Sequence, residues 1–119
     1  RMDFNGRGIL VILGLGLGYH VTEISRRFPN AEIIVVEAYP EIYRLALEHG
    51  PGIDERGHII KGLSPEDTLK KISEYHMNGG IKPLSVFALP SILSAFPGYY
   101  NPLLRSLKNT MSVRLWDKL

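Results

Sequence analysis

Apolar and polar residues follow one another in blocks that predict a regular succession of strands and helices. Four short apolar runs have the length and composition of buried strands, and between them apolar residues recur every three or four positions, as in helices. The strands are predicted at about residues 8–13, 32–37, 58–61 and 84–89. Strands that alternate with helices through short connections indicate a parallel sheet with helices on both faces.

Four helices are predicted, one after each strand. They cover about residues 19–28, the segment from Pro40 to a stop at Gly50, the segment from Ser64 to Asn78, and a last segment that follows a capping loop at 97–102. The apolar stripe of the last helix consists of Leu103, Leu107, Met111 and Leu115. Right-handed crossovers then give the strand order 3-2-1-4, with the first strand in the centre.

The turn after the first strand carries the most specific chemical signal in the sequence. Residues 14–20 read G-L-G-L-G-Y-H, so Gly14, Gly16 and Gly18 stand where a strand passes into a helix. Free N–H groups and the positive end of a helix dipole attract an anionic or carboxylate-bearing ligand, and glycine permits its close approach. We interpret this turn as a seat for a nucleotide-type ligand, with close packing of the helix on the strand as the structural alternative.

Two side chains beside the glycines are further candidates for ligand binding. Tyr19 is placed to stack on a base, although an aromatic residue next to a strand is more often part of the core. His20, in the first turn of the helix, is placed to donate to a phosphate or carboxylate, or to cap the helix locally.

An acidic residue closes the second predicted strand. Glu37 follows Gly14 by 23 residues, close to the offset of about 20 at which a carboxylate meets ribose hydroxyls in nucleotide-binding βαβ units. Tyr39 then lies near the expected position of an adenine. The alternative interpretation of Glu37 is a solvated acid at the end of a strand. Because Tyr19 stands where G-x-G-x-x-G has its third glycine, NAD is disfavoured as the ligand.

Composition and charge exclude several classes of protein. The 119 residues, 45% of them hydrophobic, fit a single domain over 1–119, and Arg1 before Met2 suggests a module of a longer protein. The absence of cysteine excludes disulfides and thiolate metal sites, and the scattered histidines predict no metal. Dispersed basic residues with a net charge of +2 do not indicate nucleic acid, and no apolar run approaches a membrane span. We therefore expect a cytoplasmic protein.

The succession of strand, glycine turn, helix, strand and acid over about residues 9–50 resembles motif I and the second strand of class I S-adenosylmethionine-dependent methyltransferases. The resemblance implies that the three glycines face the amino-acid portion of the cofactor and that Glu37 takes both ribose hydroxyls. The chain departs from the pattern at Ile12, where many of these enzymes have an acid, and at 88–91, where they have acidic or Asn-Pro-Pro-aromatic residues. The complete fold has seven strands, and this chain predicts four.

A closer match is to the N-terminal Rossmann-like region of bacterial motility accessory factors, large proteins associated with glycosylation of flagellin. The chain resembles them in the G-x-G-x-G-Y-H string, in the strand that ends at Glu37, and in the segments 40–43 and 46–48, with Pro97 and Tyr100 as further matching positions. In that family the sugar-transfer chemistry is attributed to another, more central domain. The resemblance therefore implies an accessory or binding module.

These features predict a three-layer, Rossmann-like α/β domain with a four-stranded, mainly parallel sheet. The preferred function is a nucleotide-type ligand-binding accessory module of a motility or flagellin-glycosylation protein, with S-adenosylmethionine, a nucleotide or a nucleotide sugar as ligand. One alternative is an S-adenosylmethionine-dependent methyltransferase in truncated form. The other is a structural domain whose last helix mediates self-association or contacts other domains. The candidate binding residues are Gly14, Gly16, Gly18, Tyr19, His20, Glu37 and Tyr39.

Overall fold

Strands and helices alternate along the computed structural model, which describes residues 8–52, 57–78, 84–110 and 113–115. The strands are β1 (Ile9–Leu13), β2 (Glu32–Glu37), β3 (His58–Lys61), β4 (Leu84–Ala88) and β5 (Val113–Leu115). The helices are α1 (Tyr19–Arg27), α2 (Pro40–His49), α3 (Pro65–Asn78), α4 (Pro90–Ala95) and α5 (Pro97–Thr110). In this part of the chain, no helix is long and apolar enough to cross a lipid bilayer.

The strands form one parallel sheet in the order β3-β2-β1-β4-β5. The predicted order 3-2-1-4 is confirmed, and β5 extends the sheet beyond β4. In the central strand, Leu13 is aligned with Val36 of β2 and Ala88 of β4. Three strands therefore end side by side at the same edge. The connection after β1 leads to β2 on one side, and the connection after β3 leads to β4 on the other side of β1, the arrangement beside which ligands bind in open α/β sheets.

Alternating side chains of β1 build the two sides of the core. Ile9, Val11 and Leu13 pack with residues of α3 and α5, whereas Leu10 and Ile12 pack with residues of α1 and α2. All five residues of β1 are fully buried, as expected for a central parallel strand covered on both faces. The predicted arrangement of a sheet between two layers of helices is confirmed.

The segment after β4 differs from the prediction. Pro90 begins the short helix α4, which was not predicted, and residues 97–102 form the first turns of α5 instead of a loop. Pro97 is well suited to the first helical position, and Tyr100, Leu103 and Leu107 give α5 a buried stripe. Packing of this stripe outweighs the interruption by Pro102, which lacks an N–H.

The predicted continuation of the last helix is wrong at its end. Residues 113–115 form β5, which pairs with the edge of β4, and Met111 lies outside the described residues. Pairing satisfies backbone groups that a bare strand edge would leave to water. Because Leu103 and Leu107 are buried in the domain's own core, this part of the predicted stripe is not available for self-association.

A buried tyrosine joins α5 to the end of β2. The backbone N–H of Ala38 donates to the hydroxyl of Tyr100 over 3.1 Å, and only 1% of Tyr100 is exposed. Burial raises the pKa of this phenol far above its usual value, so the hydroxyl stays neutral.

Tyr100→Phe is expected to lower the free energy of unfolding by about 1–3 kcal/mol, because the buried N–H of Ala38 loses its acceptor. Chemical denaturation measures the change. The matched control is Tyr19→Phe at a side chain that is 61% exposed, for which we expect a change within about 0.5 kcal/mol. Equal effects of the two substitutions would show that the Tyr100 hydroxyl contributes nothing.

Candidate functional site

The glycine turn begins as a continuation of β1. The N–H of Gly14 donates to the carbonyl of Val36 over 2.7 Å, and the N–H of Gly18 donates to the carbonyl of Leu15 over 2.9 Å, which closes the turn. The side chain of Leu15 is fully buried and anchors the turn in the core. The turn is therefore a fixed element of the sheet edge.

All three glycines of the turn have a positive φ. The values are +96° at Gly14, +55° at Gly16 and +98° at Gly18, a region in which other residues are strained. The space around them differs, however. A β-carbon added to Gly14 would lie 2.7 Å from Cγ2 of Ile92, whereas one added to Gly16 would meet only Cε1 of His20 at 3.9 Å. The approach to Gly14 is covered by the protein itself, and the approach to Gly16 is more open.

The start of α1 leaves backbone donors without acceptors. In the described part of the chain, no acceptor pairs with the N–H groups of Gly16, Leu17, Tyr19 or His20. Gly18 at the N-cap supplies no side-chain hydrogen bond, and the first turn of α1 contains no acidic residue. The positive end of the helix dipole is thus uncompensated, a local field that favours an anionic or carboxylate group.

Glu37 turns its carboxylate toward the glycine turn. Its Oε1 accepts the N–H of Leu15 over 2.9 Å, its Oε2 accepts the N–H of Tyr39 over 3.0 Å, and only 2% of the residue is exposed. A buried charge needs such donors to offset its desolvation. Sequence reasoning missed this bracing role, although a buried acid at the end of a central strand calls for nearby N–H groups. A carboxylate has about four lone-pair sites, so two are left for other donors.

His20 folds back onto the turn that precedes it. Its Nε2 lies 2.9 Å from the carbonyl oxygen of Gly14, and because a carbonyl only accepts, Nε2 carries the proton. Burial lowers the pKa of His20, and the bond to Gly14 and the charge of Glu37 oppose that shift. The neutral imidazole therefore braces the glycine turn, with Nδ1 left for other partners.

The two tyrosines of the predicted site lie in different surroundings. Tyr19 is 61% exposed at the start of α1. Tyr39 is 37% exposed, and the centroid of its ring lies 4.9 Å from that of Phe96. The structure thus brings Glu37, His20 and the glycines together, sets Tyr39 at their border against an aromatic partner, and leaves Tyr19 on the surface.

Ile92 and Phe96 are residues of this region that the sequence reasoning did not identify. Ile92 contacts Gly14, and Phe96 contacts Tyr39. Their i, i+4 spacing after Pro90 is a helical signal, which the preceding strand and the prolines obscured.

The remaining histidines do not gather into a metal site. Over the described ranges, there is no group of three or more His, Asp or Glu residues that could hold a metal ion. The ring of His58 instead stacks on that of Tyr75 with centroids 4.0 Å apart.

The lowered pKa of His20 predicts a pH dependence of stability. As pH falls below about 6.5, the unfolded chain takes up the proton before the folded chain does. The stability that His20 contributes is therefore complete above this pH and is lost as the pH falls toward the lower pKa of His20 in the folded state. We expect wild type to lose more stability between pH 7.5 and pH 5 than His20→Asn, as measured by denaturation. The control is His49→Asn, at an exposed histidine, which should lose as much stability as wild type over this pH range. Equal losses for wild type and His20→Asn would contradict the expectation.

Comparison with known proteins adds a structural similarity. No family model and no curated protein matches the chain. Among solved structures, the chain is similar to the crystal structure of human Methyltransferase-like protein 13 in complex with SAH, with 22% identity over 69% of this chain and a TM-score of 0.49. The chain spans 36% of the length of that structure. Its own parallel sheet, with the glycine turn at the end of the central strand, defines a Rossmann-like α/β domain.

Proposed function

We propose that this domain binds a nucleoside-type ligand at the glycine turn, with the ribose at Glu37 and a carboxylate or anionic group at the start of α1. The observation that carries the proposal is the position of the Glu37 carboxylate, 2.9 Å from the N–H of Leu15 within that turn. The acid suited to ribose hydroxyls and the free N–H groups suited to an anion are therefore neighbours.

The proposed role is binding rather than catalysis. Both oxygens of Glu37 already accept backbone hydrogen bonds, so the carboxylate is held as an acceptor for hydroxyl groups. His20 uses its protonated nitrogen on Gly14. Together with the resemblance to motility accessory factors, this favours an accessory module of a flagellin-glycosylation type protein, with a nucleotide or nucleotide sugar as ligand.

A second candidate is an S-adenosylmethionine-dependent methyltransferase domain. The observation that favours it is β5, which adds a fifth parallel strand to the four that were predicted, toward the seven strands of that fold. Methyl transfer is a displacement that correct positioning alone promotes, so it does not require a general base. The two candidates share the ribose at Glu37 and differ in the ligand.

Thermal denaturation in the presence of a ligand panel tests the proposal. The panel contains S-adenosylmethionine, S-adenosylhomocysteine, nucleoside phosphates and nucleotide sugars. A ligand at 100 times its Kd stabilises the folded state by about 2.7 kcal/mol, which raises Tm by several degrees. Stabilisation by the adenosyl compounds supports the methyltransferase, and stabilisation by nucleotide sugars supports the accessory module. No shift at millimolar concentrations of any compound would contradict both and favour a structural domain.

Glu37→Gln tests the ribose contact. We expect the affinity for any stabilising ligand to fall by about 5- to 150-fold, which corresponds to the 1–3 kcal/mol of a charge-assisted hydrogen bond. The increase in Tm that the ligand causes is compared between wild type and Glu37→Gln, because the substitution also changes the stability of the turn without ligand. Glu41→Gln makes the same chemical change at an exposed position in the first turn of α2 and should preserve the affinity. Unchanged binding by Glu37→Gln would refute the ribose contact.

A further inference from the structure

The segment from Leu89 to Phe96 lies across the glycine turn and the end of β2. At one contact Ile92 covers Gly14, and at the other the ring of Phe96 packs on that of Tyr39. Gly14 precedes Leu15, and Leu15 and Tyr39 are the two residues whose N–H groups donate to Glu37. The segment therefore contacts the residue before Leu15 and the ring of Tyr39, beside the nearly inaccessible carboxylate.

Helix α4, the middle of this segment, buries little surface. None of the six residues of α4 is buried, and its apolar residues Ile92 and Leu93 are only partly buried against the core. Burial of apolar surface is the main source of local stability, so a segment with little of it opens at a lower free energy than its surroundings. By contrast, α5 directly after it has fully buried side chains.

Both ends of α4 are bounded by residues outside the helix. Leu89 has φ −67° and ψ 135°, and Phe96 has φ −132° and ψ 55°, so both residues are outside helical geometry. Each precedes a proline, which disfavours the helical conformation at these positions. Residues at the ends of elements are those that absorb the dihedral changes of a moving segment.

We propose that residues 89–96 are a lid over Gly14, at the start of the glycine turn, and that this segment unfolds locally and moves away while the rest of the domain stays folded. In the closed state Ile92 occupies the space above Gly14, so the lid competes with a ligand for that position. Opening exposes the turn and the donors around Glu37. The gating role rests on the proposed function, whereas the opening itself does not.

Amide hydrogen exchange of the full chain, followed by NMR, tests the opening without a ligand. We expect Ile92→Ala to lower the protection of the Phe96 and Leu15 amides at least fivefold and in parallel. Opening breaks the bond of the Phe96 N–H to the carbonyl of Ile92 and exposes the bond between the Leu15 N–H and Glu37 to water. The amide of Val86 in β4 reports global unfolding, in which the contacts of Ile92 are lost as well, so its protection should fall by a similar factor.

Leu104→Ala, in a partly buried residue of α5, is the control for general destabilisation. It should lower the protection of Val86 and leave that of Phe96 and Leu15 unchanged, because α5 stays folded when the lid opens. Protection of Leu15 that falls together with that of Val86 in Leu104→Ala, or that is unchanged in Ile92→Ala, would overturn the lid.

Ligand affinity tests the competition, with S-adenosylhomocysteine and a nucleoside diphosphate sugar as probes. Only the fraction of molecules with an open lid can bind the probe, and Ile92→Ala increases that fraction. The substitution should therefore lower the apparent Kd of the probe that binds by about 3- to 10-fold. Unchanged or weaker binding would overturn the competition between Ile92 and ligand. If neither probe binds wild type or Ile92→Ala, the proposed function fails, and the exchange data alone decide whether the lid opens.

Discussion

Glu37→Ala is expected to lower the free energy of unfolding by about 3–5 kcal/mol. The substitution removes two hydrogen bonds to a charged acceptor, each worth about 1.5–3 kcal/mol, from the N–H groups of Leu15 and Tyr39. It also leaves the buried N–H of Leu15 without a partner. Domains of this size are stable by about 5–15 kcal/mol, so the loss is a large part of the total. Chemical denaturation of the two proteins measures it.

The control for this substitution is Glu41→Ala. Glu41 is exposed in the first turn of α2, where an acid contributes at most about 1 kcal/mol through the helix dipole. If the two variants lost the same stability, the carboxylate of Glu37 would not hold the glycine turn. Its position would then give no support to a site prepared for ribose.

Gly14→Ala is expected to lower the free energy of unfolding by about 2–4 kcal/mol. A φ of +96° costs a residue with a β-carbon about 1–3 kcal/mol. The new carbon would also lie 2.7 Å from Cγ2 of Ile92, so the side chain of Ile92 must move. Thermal or chemical denaturation measures the sum of the two effects.

Two further variants separate the causes of that loss. The double variant Gly14→Ala, Ile92→Ala removes the steric conflict but not the backbone strain, so its loss should be smaller than the sum of the two single losses. Gly98→Ala is the matched control, because a β-carbon there meets no atom within 4 Å and Gly98 has no positive φ. We expect Gly98→Ala to be neutral or to stabilise the domain by up to about 1 kcal/mol. A neutral Gly14→Ala would contradict the described geometry of the turn.

The sequence predicted the fold correctly where the apolar periodicity agreed with the positions of glycine and proline at the ends of elements. The central strand, its glycine turn and the acid at the end of β2 were all identified, because an apolar run that ends in glycines has few alternatives. The region after Pro90 was harder to predict. Four prolines or glycines within 90–102 suggested loops, whereas the burial of Tyr100, Leu103 and Leu107 stabilises a helix. Local propensity was outweighed there by packing that the sequence does not display.

Part of the candidate site was beyond prediction for a similar reason. The spacing of Gly14 and Glu37 placed the acid near the turn, but the bonds of its two oxygens to Leu15 and Tyr39 depend on the three-dimensional path of the backbone. The contact of Ile92 with Gly14 joins residues 78 positions apart. No local sequence pattern predicts such a contact, so the position of Ile92 over Gly14 is known only from the structure.

The binding of a ligand at the glycine turn is tested most directly by NMR spectra of the backbone amides during titration with S-adenosylhomocysteine and with a nucleoside diphosphate sugar. We expect one of these compounds to shift the amide signals of Gly16, Leu17, Tyr19 and His20, whose N–H groups have no acceptor among the described residues. The signals of α3, on the other side of the sheet from α1, should stay in place. Spectra that do not change with either compound, or shifts confined to residues away from the turn, would contradict a binding site at this position.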